Sequence, residues 1–249
     1  MYVRAVAALA AFSAVASLQA DVVVDYTLDA GGSNDQPLNG LAARATYSLD
    51  GLDLTVRLEN ISTGVPIDFG ASDSLLVSLG FNLPDNIFIT EGLAAVIGEG
   101  GTGLGAWSGL GAGDDVSQQW AWSNDGAGDV LDAYRQVLTT SNGQGSGDHM
   151  RFDGVLNGNV GGPWGGVAAM PPILDLPGTQ QAIGGAVEFT VRLSEMLNPG
   201  ALEEVAAGGI VEFGSDRQYL TVVPSPAVAA VLALAGLASG SRRRRGHSA

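Results

Sequence analysis

Between residue 21 and about residue 222, apolar and polar side chains alternate in several stretches with a period of two, which places neighbours on opposite faces of a β-strand. The clearest stretch is Leu52, Leu54, Val56 and Leu58, interleaved with Asp53, Thr55 and Arg57. Before it, Ala45, Tyr47 and Leu49 alternate with Thr46 and Ser48, and Asp50-Gly51 joins the two runs. Asp-Gly between alternating segments is a favoured two-residue hairpin signal, so residues 42–60 are expected to form a β-hairpin. Further strands are expected at Val22–Leu28, Leu75–Asn82, Gln118–Ser123, Ala186–Leu193, Ile210–Phe213 and Gln218–Val222. A helix is expected from Asp129 to Leu138, with Asp129 placed to cap its start, and a shorter helical turn around Pro199–Ala206. Gly98–Gly113 and Gly143–Gly166 are rich in Gly, Asn and Asp and read as long loops. The pattern therefore predicts an all-β body: an antiparallel β-sandwich, with a jelly roll among its permitted arrangements, carrying one short helix.

Both ends break this pattern. Met1-Tyr2-Val3-Arg4 precedes an apolar run from Ala5 to Leu18, and small residues stand before the first acid, Asp21. One positive charge, a short hydrophobic stretch and small residues are the parts of a secretory signal peptide. Cleavage is expected after Ala20 or after Ala16. At the other end, Val223-Pro224-Ser225-Pro226 is followed by an uncharged run, Ala227 to Ser239, and then by Arg242, Arg243, Arg244 and Arg245. As a helix, Pro226 to Ser241 would reach roughly 24 Å, somewhat short of a hydrocarbon core of about 30 Å. Four consecutive arginines would be a costly end for a buried helix, whereas in a membrane the positive-inside rule holds them in the cytoplasm. Snorkelling of the arginines and local thinning of the bilayer cover the shortfall. The expected organisation is a signal peptide over residues 1–20, a β body over 21–222 and a tail with one transmembrane helix over 223–249.

Charge adds to this picture. The chain has 249 residues, 46% of them hydrophobic, with 37 Gly, no Cys and no Lys. Without Cys there is neither a disulfide nor thiolate chemistry. Arg4 and Arg242–Arg245 lie in the terminal segments, leaving six arginines against 26 carboxylates in the body, a formal balance of −20. So acidic a surface repels nucleic acid and anionic membranes.

The order and spacing of the tail resemble the PEP-CTERM sorting domain, which has a short Pro-containing motif, one hydrophobic helix and a terminal Arg cluster. Here those parts are Val223-Pro224-Ser225-Pro226, Ala227 to Ser239, and Arg242 to Arg245, the usual Pro-Glu-Pro triplet standing as Pro224-Ser225-Pro226. The resemblance covers about a tenth of the chain. It implies an exosortase as partner, a membrane transpeptidase-like enzyme that removes the tail in a Gram-negative-type envelope, after export by the general secretory machinery. It also implies association with exopolysaccharide-producing, biofilm-forming bacteria, which makes extracellular polysaccharide a further expected partner.

Catalytic chemistry finds little material. His149 and His247 are the only histidines, and His247 lies in the tail. His149, in Gly147-Asp148-His149-Met150, reads as a solvated loop residue rather than a general base. A zinc site needs three or four N or S ligands, which the body lacks. Calcium needs only oxygen, and Asp114-Asp115, Asn124-Asp125 and Asn34-Asp35 are the candidates, although turn chemistry explains each of them. Gly101-Thr102-Gly103-Leu104-Gly105-Ala106 has the look of a nucleotide-binding glycine motif but lacks the flanking strand and helix. Glu188 and Glu212 are the carboxylates to consider for glycoside hydrolysis, each expected as the outward residue of an alternating strand. Trp120 and Trp122 share one side of a strand, and with Trp107 and Trp164 they form either a sugar-stacking face or part of a core, the core being favoured. The expectation is a non-enzymatic, exosortase-sorted envelope or extracellular-matrix protein with no cofactor, no metal and no catalytic residue. Its rival is a secreted carbohydrate-binding module or glycan-active enzyme carrying the same tail.

Overall fold

A computed structural model describes residues 21–32, 38–140, 149–214 and 218–223. The expected signal segment, the tail from Pro224 onward with Arg242–Arg245, and Asn34-Asp35 lie outside the described residues.

The chain is mostly antiparallel β-sheet with one α-helix. In order the strands are β1 (Val22–Gly32), β2 (Ala43–Asp50), β3 (Asp53–Asn60), β4 (Leu76–Phe81), β5 (Ile89–Gly92), β6 (Val96–Ile97), β7 (Thr102–Gly105) and β8 (Ala121–Ser123). They continue with β9 (Gln136–Thr139), β10 (His149–Arg151), β11 (Val167–Ala168), β12 (Gln181–Gly184) and β13 (Ala186–Leu193). The helix α1 (Pro199–Ala207) then precedes β14 (Ile210–Phe213) and β15 (Gln218–Val222). One hydrogen-bonded path runs β10-β8-β9-β4-β14-β15-β1-β2-β3-β13-β5, with β6, β7, β11 and β12 joined off it. Among these pairings only β11–β12 is parallel.

The path curls until it nearly closes, a barrel-like sheet rather than two separately paired ones. A side chain bridges the gap. Asn124, just past β8, accepts from the Ile89 N–H at 2.9 Å and donates to the Ile89 carbonyl at 2.8 Å, so its amide stands in for a strand rung against β5. Gln136 reaches Asn124 Oδ1 at 3.3 Å and also accepts from the Leu83 N–H at 2.8 Å.

The two walls of the barrel differ in how they are covered. β2, β3 and β13 alternate buried and half-exposed positions, one face to the interior and one to water. β4, β9 and β14 are buried at every position. Inside, Tyr26, Tyr47, Phe81, Trp120, Phe189 and Phe213 belong to one large core. Outside the second wall lie two smaller clusters: Leu75, Val77, Ala168 and Ala182 with Trp164, and Leu131, Val137, Ile210 and Tyr219 with Tyr134. Burying both faces of a strand erases its two-residue period and leaves a continuous apolar run.

The expected hairpin forms, paired from Ala43 opposite Asn60 to Asp50 opposite Asp53. Its two-residue loop is Gly51-Leu52, shifted by one from the expected Asp50-Gly51, and Gly51 takes φ +63°, as the first loop position of a type II′ turn requires. The expected strands at 186–193, 210–213 and 218–222 stand with the same bounds, and β1 runs four residues beyond Leu28. The expected helix from Asp129 to Leu138 is overturned. Asp129–Ala133 is a 3₁₀ turn, and Gln136–Thr139 is β9, paired with both β4 and β8. Val137 faces the outer cluster while Leu138 faces the inner core, which a strand allows and a helix does not. The N-cap position falls to Gly128 instead of Asp129, which stands inside the turn at φ +57°, and Asp132 accepts from the Gly128 N–H at 2.6 Å. The expected turn near Pro199 is a full helix of nine residues. Asn198 Oδ1 accepts from the Gly200 N–H at 3.0 Å, and Leu202, Val205 and Ala206 are buried in the core. The glycine-rich stretches hold β7 and β10, where loops were expected.

Candidate functional site

Glu188 and Glu212 do not form a pair. Each lies between core residues, Val187 and Phe189 for one and Val211 and Phe213 for the other, so both project from the outer face of the sheet. In the strand order β15, β1, β2 and β3 separate them. Glu188 stands opposite Arg57 across β3 and is half-exposed. Glu212 is only 4% exposed, under the covering of the second wall. Ser78 Oγ donates to its Oε2 at 2.6 Å, and the Ser78 and Thr139 hydroxyls meet at 2.8 Å. The expected outward position of Glu212 is correct, but the covering turns it into a buried, hydrogen-bonded group.

The tryptophans divide by depth. Trp120 is fully buried and meets the Phe189 ring edge-on, with centroids 4.8 Å apart, and the Phe152 ring lies tilted against Phe189 at 5.4 Å. Trp122 also belongs to the core, its indole pressed against Gly92 so closely that no side chain fits there. Trp107 and Trp164 are partly buried against different clusters. These side chains are core, and no flat stacking face is assembled from them.

His149 lies in β10, in a small hairpin rather than a loop. Its Nε2 is 3.0 Å from the Gly158 carbonyl, and its own carbonyl accepts from Asn157 N–H at 2.8 Å. The acidic turns are spent on backbone: Asp114 accepts from the Gly111 N–H at 2.8 Å, and Asp115 accepts from the N–H and hydroxyl of Ser117. Asn124 is occupied by Ile89 as described. Among the described residues no three His, Cys, Asp or Glu side chains gather to hold a metal ion. Gly101–Ala106 contains β7, paired with β12, and offers no phosphate loop.

What the residues do bring together is a latch with a groove on each side. Asn60, 4% exposed at the end of β3, donates from Nδ2 to the carbonyls of Ser74 at 2.9 Å and Val167 at 2.8 Å, and accepts from the Ser62 N–H at 3.1 Å. Ser62 Oγ accepts from the Ala42 N–H at 3.0 Å and donates to the Ala42 carbonyl at 3.2 Å. One groove, about 410 Å³, runs along Thr27, Asp29, Asn39–Ala42, Ile61 and Thr63. The other, about 580 Å³, lies between Glu59–Thr63 and Met170, Pro171, Pro172 and Ile173. Their size suits a small ligand. Their lining mixes aliphatic faces with Asp29, Glu59 and Thr63, and it contains no nucleophile paired with a base. Sequence reading missed this region because Asn60 and Ser62 look like ordinary strand-end polar residues.

Electrostatics bear on what such a surface can meet. Each of the five described arginines is held by a carboxylate: Arg44 by Asp25, Arg57 by Glu59, Arg135 by Asp85, Arg151 by Asp153 and Arg192 by Asp53. The Arg44 hydrogen bonds at 2.7 and 3.0 Å hold the Asp25 carboxyl below its ordinary range, and Arg151 does the same for Asp153. No family model matches the chain, and no curated protein or solved structure is significantly similar to it.

Proposed function

We propose that the chain is an exported envelope or extracellular-matrix protein, sorted by an exosortase through residues 223–249, whose β body acts by binding or by occupying the surface rather than by catalysis. The observation that carries this reading is the ordered triplet of Pro motif, apolar run and Arg242–Arg245. The precursor is held for a time in the inner membrane by the apolar run, and the body then passes to the cell surface or the exterior. The fold supports this division. β1 opens at Val22, just after the expected signal peptide, and β15 closes at Val222, just before the motif. Pro224 and Pro226 lack the N–H that would prolong the β15 ladder.

The covered and solvent-facing walls enclose one interior core, which supports treating the body as a sandwich closed along its edges. Extracellular polysaccharide remains the proposed ligand class. Nucleic acid is not proposed, because the body is strongly acidic and each of its described arginines is already paired with a carboxylate. Mass spectrometry of the native envelope form is expected to find no peptide C-terminal to about Pro226. Abundant protein retaining Arg245 would leave only a membrane anchor and overturn the sorting reading.

A further inference from the structure

The body has two unlike poles, and strand register shows toward which one β15 points where it ends. Tyr26 of β1 stands opposite Val222 on one side and Ala43 on the other, and Ala43 stands opposite Asn60. Because β15 is antiparallel to β1, it points where it ends at Val222 in the direction from Tyr26 toward Val22, whose level is four residues or about 13 Å further on. At that pole lie Asp21, the Asp50–Asp53 turn, the Leu193 end of β13, and α1, which follows β13 and packs on β1 and β2. The opposite pole carries Asn39–Ala42, Ile61–Thr63 and Gly185, where both grooves open. From Val222 to Ala227, where the apolar run begins, the chain has five residues and reaches at most about 17 Å.

We propose that the membrane-held precursor stands with its Asp50–Asp53 and α1 pole against the bilayer and presents the groove-bearing pole outward. The proposal rests on the tail reading above and adds which surface meets an external partner. The chain has no Cys, so single-cysteine variants are clean probes. Asp50→Cys and Glu203→Cys mark the near pole, Thr63→Cys and Asn39→Cys the far one, and all four positions are exposed.

Each full-length variant, inserted in phosphatidylcholine vesicles and labelled with a donor dye, is compared for energy transfer to a headgroup-labelled lipid. Transfer several-fold stronger from positions 50 and 203 than from 39 and 63, with the contrast lost in detergent, is the expected result. Equal transfer, or stronger transfer from 39 and 63, in protein that floats with the vesicles overturns the orientation while leaving the tail reading in place. Protein that does not float with the vesicles overturns both.

Discussion

At the scale of single residues, the buried polar groups set what substitution costs. Asn60 satisfies two carbonyls and one N–H from three different segments, so Asn60→Ala leaves all of them without that partner in a nearly dry site. Unmet buried groups cost about 1–3 kcal/mol each, and relaxation recovers part of that, so a loss of about 3 kcal/mol is expected in urea unfolding. Tyr26 and Tyr47 make a second such site. Their hydroxyls meet at 2.9 Å in the core, and burial raises both phenols above their ordinary range. With folded values above the unfolded value of about 10, their contribution is fully present below that pH. It is lost as pH rises beyond it, because the unfolded chain ionises first. Stability contributed by this pair is therefore expected to be flat from pH 6 to 9 and to fall above about pH 10. The fall should be shallower in Tyr47→Phe, as followed by thermal melts across the alkaline range. A fall equally steep in that variant would assign the effect to other groups.

At the scale of elements, the seam between β8 and β5 is held by an amide where other neighbours share a backbone ladder. Asn124→Ala removes both bonds to Ile89 and the contact from Gln136. About 2 kcal/mol of lost stability is expected, with faster hydrogen exchange at the Ile89 amide than at amides of β2 and β3. Unchanged exchange there would show that the seam is held by something else. The same contrast between walls explains what could be read in advance. β2, β3 and β13 have one face in water, and their alternation is visible in the residues themselves. β9 is covered on both sides, so Val137 and Leu138 stand next to each other as two apolar residues and mimic the spacing of a helix. β5, β6, β7, β11 and β12 are two to four residues each, too short for any period to register. The Asn60 latch was hidden for another reason: its partners Ser74 and Val167 lie far along the chain, and nothing local marks them. The buried state of Glu212 was hidden in the same way, because the clusters that cover its wall come from distant segments.

At the scale of the whole molecule, the body is bounded by β1 and β15, which are neighbours in the sheet. A chain ending at Val222 is expected to melt at about the temperature of the body in the full protein. Replacing Arg242–Arg245 by Ser should disturb membrane topology and leave that melt unchanged. A body that fails to fold without its tail would show that the apolar run packs against the sheet. The neighbours of β15 have one more consequence. It is hydrogen-bonded on both flanks, to β1 and to β14. A pull applied beyond Val222 in the direction in which β15 ends loads that strand along its axis. The load then falls on both ladders at once, in shear, and not on one rung after another as in the unzipping of an edge strand. A strand paired on both flanks resists such a pull better than an edge strand would.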